Sequence, residues 1–507
     1  MSYGELSNTQ ETMVLPMLQM KNIRGKPYIT VSAKGMVNGL SNIPNDGADF
    51  GPDTTLGATA PGQYGSPYTE TVGIKEGVSY VFNQNGGKVV LKAGVYSISS
   101  TSINKYGNLI NIPTNSATNG VSNSNVISIT IEGEASGMPW IETSVTNNTS
   151  GVIIYAKSTA PTPPTGYYAS IFGVDPNSSN PHYINNISLY IDHITIMQDT
   201  QASWASYNFQ FCMSVRIGSI KAQVSEATLT SLPTNTNAIG VIPSMSYGND
   251  TIAMEIIVVG HYAGILQGTS MSIMYMGAYY CNVAIGGMIS NPPSGTNYLG
   301  HPSAIVLADL QMCANYLGNS EYPLFGLGVT ALDIMQLDIS DANSGTTFAT
   351  SSYIYAPATL PSGEGYEQII VGYWMNYVGA NVNIQDYITN QPLSHIKILN
   401  FAPFSNNGGT APTISANPPV SGTTYQNTNP YDIEIDLPVY ATTSGTAGYV
   451  TVAKGSTDTP TAIGNQFVNG STSSTSVDII RLRVPAGWYY EFTASGVTFG
   501  TASVFAD

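Results

Sequence analysis

From about residue 86 to 405 the chain repeats short runs in which apolar and polar residues alternate. Each run is closed by a polar turn rich in Gly, Asn, Ser and Thr. VISITIEGEA, INNISLYIDHITIMQD, TIAMEIIVVGHYAGILQG and SAIVLADLQMCANYLGN are clear examples. A two-residue alternation places every second side chain on one face of an extended strand, as in Ile187, Leu189 and Ile191 and then Ile194 and Ile196. Corresponding points return after roughly 20 to 35 residues, a spacing typical of stacked repeats with loops of unequal length. Helical patterns are absent between these strands, and tight hairpin signals such as Asn-Gly between two apolar runs are scarce. Each strand is therefore expected to pair with its equivalent one repeat later. The predicted fold is all-β: a single-stranded, right-handed parallel β-helix filled by Ile, Leu, Val and Met ladders. A β-sandwich is the alternative.

One helix is predicted, over 73–85. In VGIKEGVSYVFNQNGG, Ile74, Val78, Val81 and Phe82 form one stripe, and Asn85-Gly86-Gly87 supplies a left-handed stop. KVVLKAGVYSISS follows as two strands broken at Ala93-Gly94. The open end of a stack of strands exposes apolar rungs and unpaired backbone, so a helix at this position reads as its cap. The chain then divides into an N-terminal arm or attachment region (1–70), the parallel body (71–405), a Gly/Pro/Thr-rich linker (406–430) and a strongly alternating segment (431–507). The last segment is expected to be an antiparallel β-sandwich. Within it Trp488, Tyr489 and Tyr490 are expected in the core, with an exposed aromatic patch as the alternative.

Composition changes the picture in one respect. Only 9% of the residues are charged, against about 25% in ordinary soluble domains. Ser, Thr, Asn, Gly and 33 Tyr take their place. The net charge of −16 with 15 basic residues leaves too few cations to neutralise nucleic-acid phosphates. No stretch of about 18 apolar residues is long enough to cross a membrane. The first 22 residues lack the basic start and unbroken apolar run of a secretory signal. Cys212, Cys281 and Cys313, odd in number and widely spaced, read as buried thiols rather than a disulfide framework. A fold that leans on few ion pairs loses little when its carboxylates are neutralised, so tolerance of acid is expected.

The stretch from Asn45 to Ser100 carries NDGADFGPDTT, then the short helix, then GGKVVLKAGVYSIS. In that order it resembles the N-terminal region of the pectate-lyase-like right-handed β-helix superfamily. The family's "DDT" element is Pro52-Asp53-Thr54 here, with a long insertion before the helix. The motifs cover about a tenth of the chain. The superfamily includes polysaccharide lyases, glycoside hydrolases, epimerases and viral tailspikes, so the resemblance implies a fold more than an activity. The run RLRVPAGWYYEFTASGVTFGTASVFAD is similar to the terminal β-domain of spike or tail proteins of archaeal spindle-shaped viruses.

Candidate chemistry is sparse. Lyases of the superfamily use a basic residue to abstract a proton, and only Arg216 among the four Arg lies in the parallel body. Asp192-His193 resembles a pectate-lyase strand whose accompanying Arg motif is missing here; a structural Asp–His bond at a turn is the simpler reading. A glycosidase needs two carboxyls about 5 to 9 Å apart. Asp333, Asp338 and Asp341 come closest, although on one continuous strand Asp333 and Asp338 face opposite sides. Glu255, Asp309 and Glu367 stand alone in the sequence. Asp46, Asp49 and Asp53 could form a calcium loop, but turn chemistry accounts for them equally well. The five His are scattered, and P-loop, GxGxxG, GxSxG and HExxH patterns are missing. No metal or cofactor is expected. Trp204 and Tyr207, and Tyr373, Trp374 and Tyr377, are aromatic groups among Asn, Ser and Thr that could stack on sugars; anchors buried under loops are the alternative.

An outside-type composition without an export signal fits a virion protein. The expected function is a virion surface spike or tail protein that attaches to host-cell glycans or glycoproteins. It would contact other virion proteins through its N-terminal region and could form a homotrimer. A polysaccharide-degrading enzyme on the same fold and a cellular surface adhesin are the alternatives.

Overall fold

The computed structural model describes residues 25–35, 46–113, 126–134, 151–176, 185–199, 202–224, 235–244, 250–266, 268, 270–286, 303–311, 325–326, 332–340, 354–355, 369–376, 388–389, 396–403, 416–428, 432–442, 448–468, 478–485 and 487–506. The chain divides into two compact units, 1–332 with 347–349, and 333–346 with 350–507.

In the first unit the chain visits two parallel sheets alternately. Asn185–Asp192 and Ile194–Gln198, Cys212–Val224, Asp250–Val259, Met271–Tyr279 and Ser303–Gln311 lie in one sheet. Between them Ala205–Asn208, Ile239–Ile242, Ala263–Leu266 and Val283–Gly286 lie in the other. All pairings among these strands are parallel.

The register stacks like on like. Ile29, Val89, Ile131, Ile191, Ile217, Ala253, Ile273 and Ile305 are successive partners in one column, and all eight are buried. Tyr96, Ile154, Ile196, Ala222, Val258, Ala278 and Leu310 form a second buried column. Ile110, Phe172, Tyr207, Val241, Ile265 and Ile285 form a third, from the other sheet. Burial of one such aliphatic side chain contributes about 1.5–3 kcal/mol. Slipping any strand by one residue would turn its whole apolar set outward.

The long strands turn a corner. Cys212–Val224 pairs along its first half with Asn185–Asp192 and along its second with Ile194–Gln198. His193 sits between those two shorter strands with φ 54°. The Asp192 carboxylate fills the hollow beside Gly218, where an added Cβ would lie 2.1 Å from Oδ1.

The start of the sheet is closed by helix α1 (Ile74–Asn83), close to the predicted 73–85. It ends as the sequence suggests, with Asn85 at φ 60° and Gly86 at φ 108°. Gly77 lets α1 settle on the strand Tyr28–Val31, because an added Cβ would lie 2.8 Å from Ile29 Cδ1. Glu76, buried in the first turn, accepts from Thr69 Oγ1 (2.7 Å) and the Gly57 N–H (3.3 Å), tying down the loop before the helix.

Tyr28–Val31, within the region expected to be an arm or attachment region, pairs with Gly86–Leu91. Two of the three aspartates considered for calcium cover donors at that edge of the sheet. Asp49 Oδ2 accepts from the Thr30 N–H (2.7 Å) and hydroxyl (3.0 Å), and Asp46 Oδ2 from the Ser32 hydroxyl (2.7 Å).

In the second unit Ile369–Asn376 pairs in parallel with Ile396–Pro403. Two four-stranded antiparallel sheets follow. Ile433–Ala441 alternates strictly, with Ile433, Ile435, Leu437 and Val439 buried. Thr424–Gln426 pairs with Tyr489–Ser495, so part of the expected linker belongs to a sheet. The three aromatics of the WYY run separate: Tyr490 is buried against Tyr425 and Phe492, Tyr489 is half-buried, and Trp488 is exposed.

Asp49→Ala is expected to lower stability by about 1–3 kcal/mol, because it strips a backbone N–H and a hydroxyl of their shared acceptor. Urea unfolding checks the magnitude, and faster amide exchange confined to residues 28–31 checks the location.

Candidate functional site

The inward faces of the parallel strands are filled, so chemistry is left to the outward faces and the turns. Outward residues beyond the corner form one row across four strands. Ser219, Glu255 and Tyr275 are register partners on adjacent strands, and the Ser219 hydroxyl donates to Glu255. Two residues on, Gly277 opposes Asp309. Tyr275 and Tyr279 bond to each other through their hydroxyls (2.8 Å), and both reach Asp309 Oδ2, at 3.2 and 2.9 Å. The Gln311 amide completes the set on Asp309 at 3.0–3.1 Å.

Burial, reinforced by the Asp309 charge, raises the affinity of both phenols for their protons. They remain neutral donors across the physiological range. Gly277 makes room for this cluster, since an added Cβ would lie 2.8 Å from the Tyr279 hydroxyl. Along the same strands Met254 is 36% exposed, and Met274 and Val306 are half-buried. Tyr279 itself is buried at 4% exposure, so the part of the row a ligand could reach is Ser219, Glu255, Tyr275, Asp309 and Gln311, all half-buried. With the neighbouring apolar surface they offer a mixture suited to a polyhydroxylated ligand.

The sequence left Glu255 and Asp309 without partners. Apart from Gln311, two residues along the same strand, their partners lie one turn of chain away, at positions 219, 275 and 279, where no local motif could reveal them. Glu255 and Asp309 are separated by two inter-strand steps and two residues along the strand, roughly 12 Å between backbones. That is wide for a glycosidase pair.

The residues singled out from the sequence fall elsewhere. Asp192 is buried at the corner, where Oδ1 accepts from the Ser219 N–H (2.8 Å) and Oδ2 from the Tyr190 hydroxyl (2.8 Å). His193 Nδ1 lies 3.2 Å from Oδ1. Its oxygens are committed to shaping the turn, as the structural reading anticipated. Asp333 is exposed, and Asp338 is half-buried and accepts from the Gln336 amide at 3.1 Å. Both lie on the continuous strand Leu332–Ser340. The simple parity argument fails there, because Leu332, Ile334 and Leu337 are all buried, which marks a corner between the two aspartates. Asp341 lies outside the described residues.

Trp204 and Tyr207 are 1% and 0% exposed, which corrects their assignment as stacking faces. Trp204 Nε1 donates to the Ser158 carbonyl (2.7 Å) and the Tyr207 hydroxyl to the Ile194 carbonyl (2.7 Å); both are interior anchors. Tyr373 is 37% exposed. Trp374 contributes backbone to Ile369–Asn376, but its side chain, and Tyr377 entirely, lie outside the described residues.

Two further polar clusters are closed. Asp175 is buried and accepts from the amides of Asn104 (2.9 Å), Asn108 (2.8 Å) and Asn111 (2.7 Å). Burial raises its pKa, and the three amides oppose that rise. Cys212 is buried and its thiol pushed up to about 12, chiefly by desolvation, which keeps it unreactive. Among the described residues no three His, Cys, Asp or Glu side chains converge on a point where a metal could sit. No protein-family model matches the chain, and no curated protein is significantly similar to it.

Asp192→Ala is expected to cost about 1–3 kcal/mol, because a backbone N–H and a buried phenol lose their acceptor. Asp333→Ala, at an exposed position, should change stability by less than about 0.5 kcal/mol. Paired denaturant melts of the two variants separate a structural aspartate from a surface one.

Proposed function

We propose that the protein is a surface spike of a virus particle that attaches to host-cell glycans. Its body would be a single-stranded, right-handed parallel β-helix, and the antiparallel sheets of the second unit a terminal sandwich. The alternating visits to two parallel sheets support the coil, since a chain that keeps one direction in both sheets must wind. A coil of this kind gains length without needing long local segments, which suits a projecting part. The N-terminal region would hold the particle and the chain would form a homotrimer.

The observation that carries the binding role is the half-buried outward row of Ser219, Glu255, Tyr275, Asp309 and Gln311, backed by the buried Tyr279. It presents hydroxyl, phenol, carboxylate and amide groups, while Lys221, two residues beyond Ser219 on the same face, is buried; the accessible groups therefore favour neutral or amine-bearing sugars over sulfated or uronic ones. Imaging of particles labelled for this chain should place it on the outside. On arrays of host-envelope glycans, Tyr275→Ala combined with Glu255→Gln should reduce retention at least tenfold while leaving the melting temperature within a few degrees. Equal retention by parent and variant would remove the row from the binding role, and release of reducing ends from the array would replace attachment with hydrolysis.

A further inference from the structure

The antiparallel sheet of Thr424–Gln426, Tyr489–Ser495, Gly448–Gly455 and Thr461–Val468 has two unlike faces. Val450, Val452, Tyr490 and Phe492 are buried on one. Tyr449, Thr451, Tyr489, Glu491 and Thr493 alternate with them on the other, and none of these five is buried. Strand pairing arranges this second face in rows. Tyr489 stands between Gln426 and Gly455, Glu491 beside Thr424, Thr451 between Thr493 and Asn465, and Tyr449 beside Ser495.

The middle of the face is polar and held in place by its own hydrogen bonds. The Glu491 carboxylate accepts from the Thr424 hydroxyl at Oε2 (3.0 Å) and from the Thr493 hydroxyl at Oε1 (2.8 Å). Thr451 Oγ1 donates to Asn465 Oδ1 (2.7 Å). Such mutual bonds lower the cost of ordering these groups around a ligand. The two ends are aromatic. Tyr449 is 38% exposed. The half-buried Tyr489 has Gly455 on one side, with no side chain to cover the ring, and Gln426 on the other, whose amide is held at the Gly487 carbonyl (3.1 Å). Three rows separate Tyr489 from Tyr449, about 20 Å along the strands. That is the length of a short oligosaccharide rather than of one sugar.

The four strands contain two charged residues, Glu491 and Lys454. Lys454 is the register partner of the buried Tyr490, on the other face, and its ammonium donates to the Arg483 carbonyl (3.2 Å). Among the described residues Glu491 meets only neutral hydroxyls, so the exposed face carries one uncompensated negative charge. The other four-stranded sheet differs. There Arg481 pairs with Asp436 (3.1 Å) and Arg483 with Asp432 (3.2 Å), and the charges cancel locally. An uncompensated carboxylate attracts an ammonium and repels a sulfate or uronate. Phenol rings at both ends, with hydroxyl and amide groups between them, suit the flat faces and hydroxyls of sugars.

We propose that this face is a binding platform for an oligosaccharide bearing free amino groups, with Tyr489 and Tyr449 stacking on sugar rings toward its two ends and Glu491 receiving an ammonium between them. The ligand runs along the strands, because the two tyrosines are offset by one strand, about 4.8 Å, but by six residues along it. The platform lies on other strands than the Ser219–Gln311 row and stands or falls without it.

The test is calorimetric titration of the full chain carrying Tyr275→Ala and Glu255→Gln, so that the row plays no part. The probes, at pH 6, are the β-1,4-linked tetramer of glucosamine, its fully N-acetylated counterpart and tetralysine. The expected result is saturable binding of the glucosamine tetramer, at least fivefold tighter than of either other probe. Adding Tyr449→Ala should weaken it at least fivefold, and adding Glu491→Gln should abolish the preference for the amine over the acetylated sugar. Lack of binding, an equal response to the acetylated tetramer, or indifference to Tyr449→Ala would overturn the proposal. Equal binding of tetralysine would show that charge alone is read, and self-association lost in Tyr449→Ala would give the face to a second copy; either outcome also overturns it. Should the variants fail to fold, hydroxyl-radical labelling of the parent decides. The glucosamine tetramer must protect Tyr449 and Tyr489 at least twofold while leaving the exposed Tyr28 and Tyr373 unchanged, and an unprotected Tyr449 refutes the platform.

Discussion

In-register parallel pairing between successive turns of chain is the constraint on which the rest depends. Each strand satisfies its backbone against the equivalent strand of the next turn, and the same register sets which side chains meet. The column from Ile29 to Ile305 is simultaneously a hydrogen-bond ladder and a hydrophobic core. Because side chains alternate with period two, the register also decides which residues face outward. The Ser219–Glu255–Tyr275 row exists because those three positions share a column, and His261 meets Gln198 and Ser206 because a later turn stacks on an earlier one.

The part of this that is local was legible in the sequence. Alternation gave the strands, as in Asn185–Asp192, and the stop at Asn85-Gly86-Gly87 gave the end of α1, because both signals act within a few residues. What depended on stacking was hidden. Glu255 and Asp309 looked solitary, since all their partners but Gln311 lie about 20 to 36 positions away. Trp204 and Tyr207 looked like surface aromatics because their neighbours are polar, yet those neighbours are themselves interior: Ser206 and Asn208 are both buried. The corner between Asp333 and Asp338 broke a parity rule that holds only for straight strands. Asp49 shows the same limit, since its turn signature was readable but its duty to the edge strand Tyr28–Val31 was not.

Most of the described aspartates on which a catalytic or metal reading could rest are occupied elsewhere. Asp46 and Asp49 serve the terminal strand, Asp175 is enclosed by three asparagine amides, and Asp192 shapes a corner. In a chain with so few charges, carboxylates act as strong acceptors for groups the sheets leave unpaired. Asp309 differs only in that its donors are side chains on an outer face.

Successive partners from Ile191 through Ile217, Ala253 and Ile273 to Ile305 are 26, 36, 20 and 32 residues apart, yet the column they form is unbroken. The connecting segments can therefore lengthen or shorten at a cost that grows only with the logarithm of their size, whereas a single insertion within a strand inverts its faces. Length changes thus cost far less in the connecting loops than within a strand, so the loops are where such a chain can be altered without disturbing its interior.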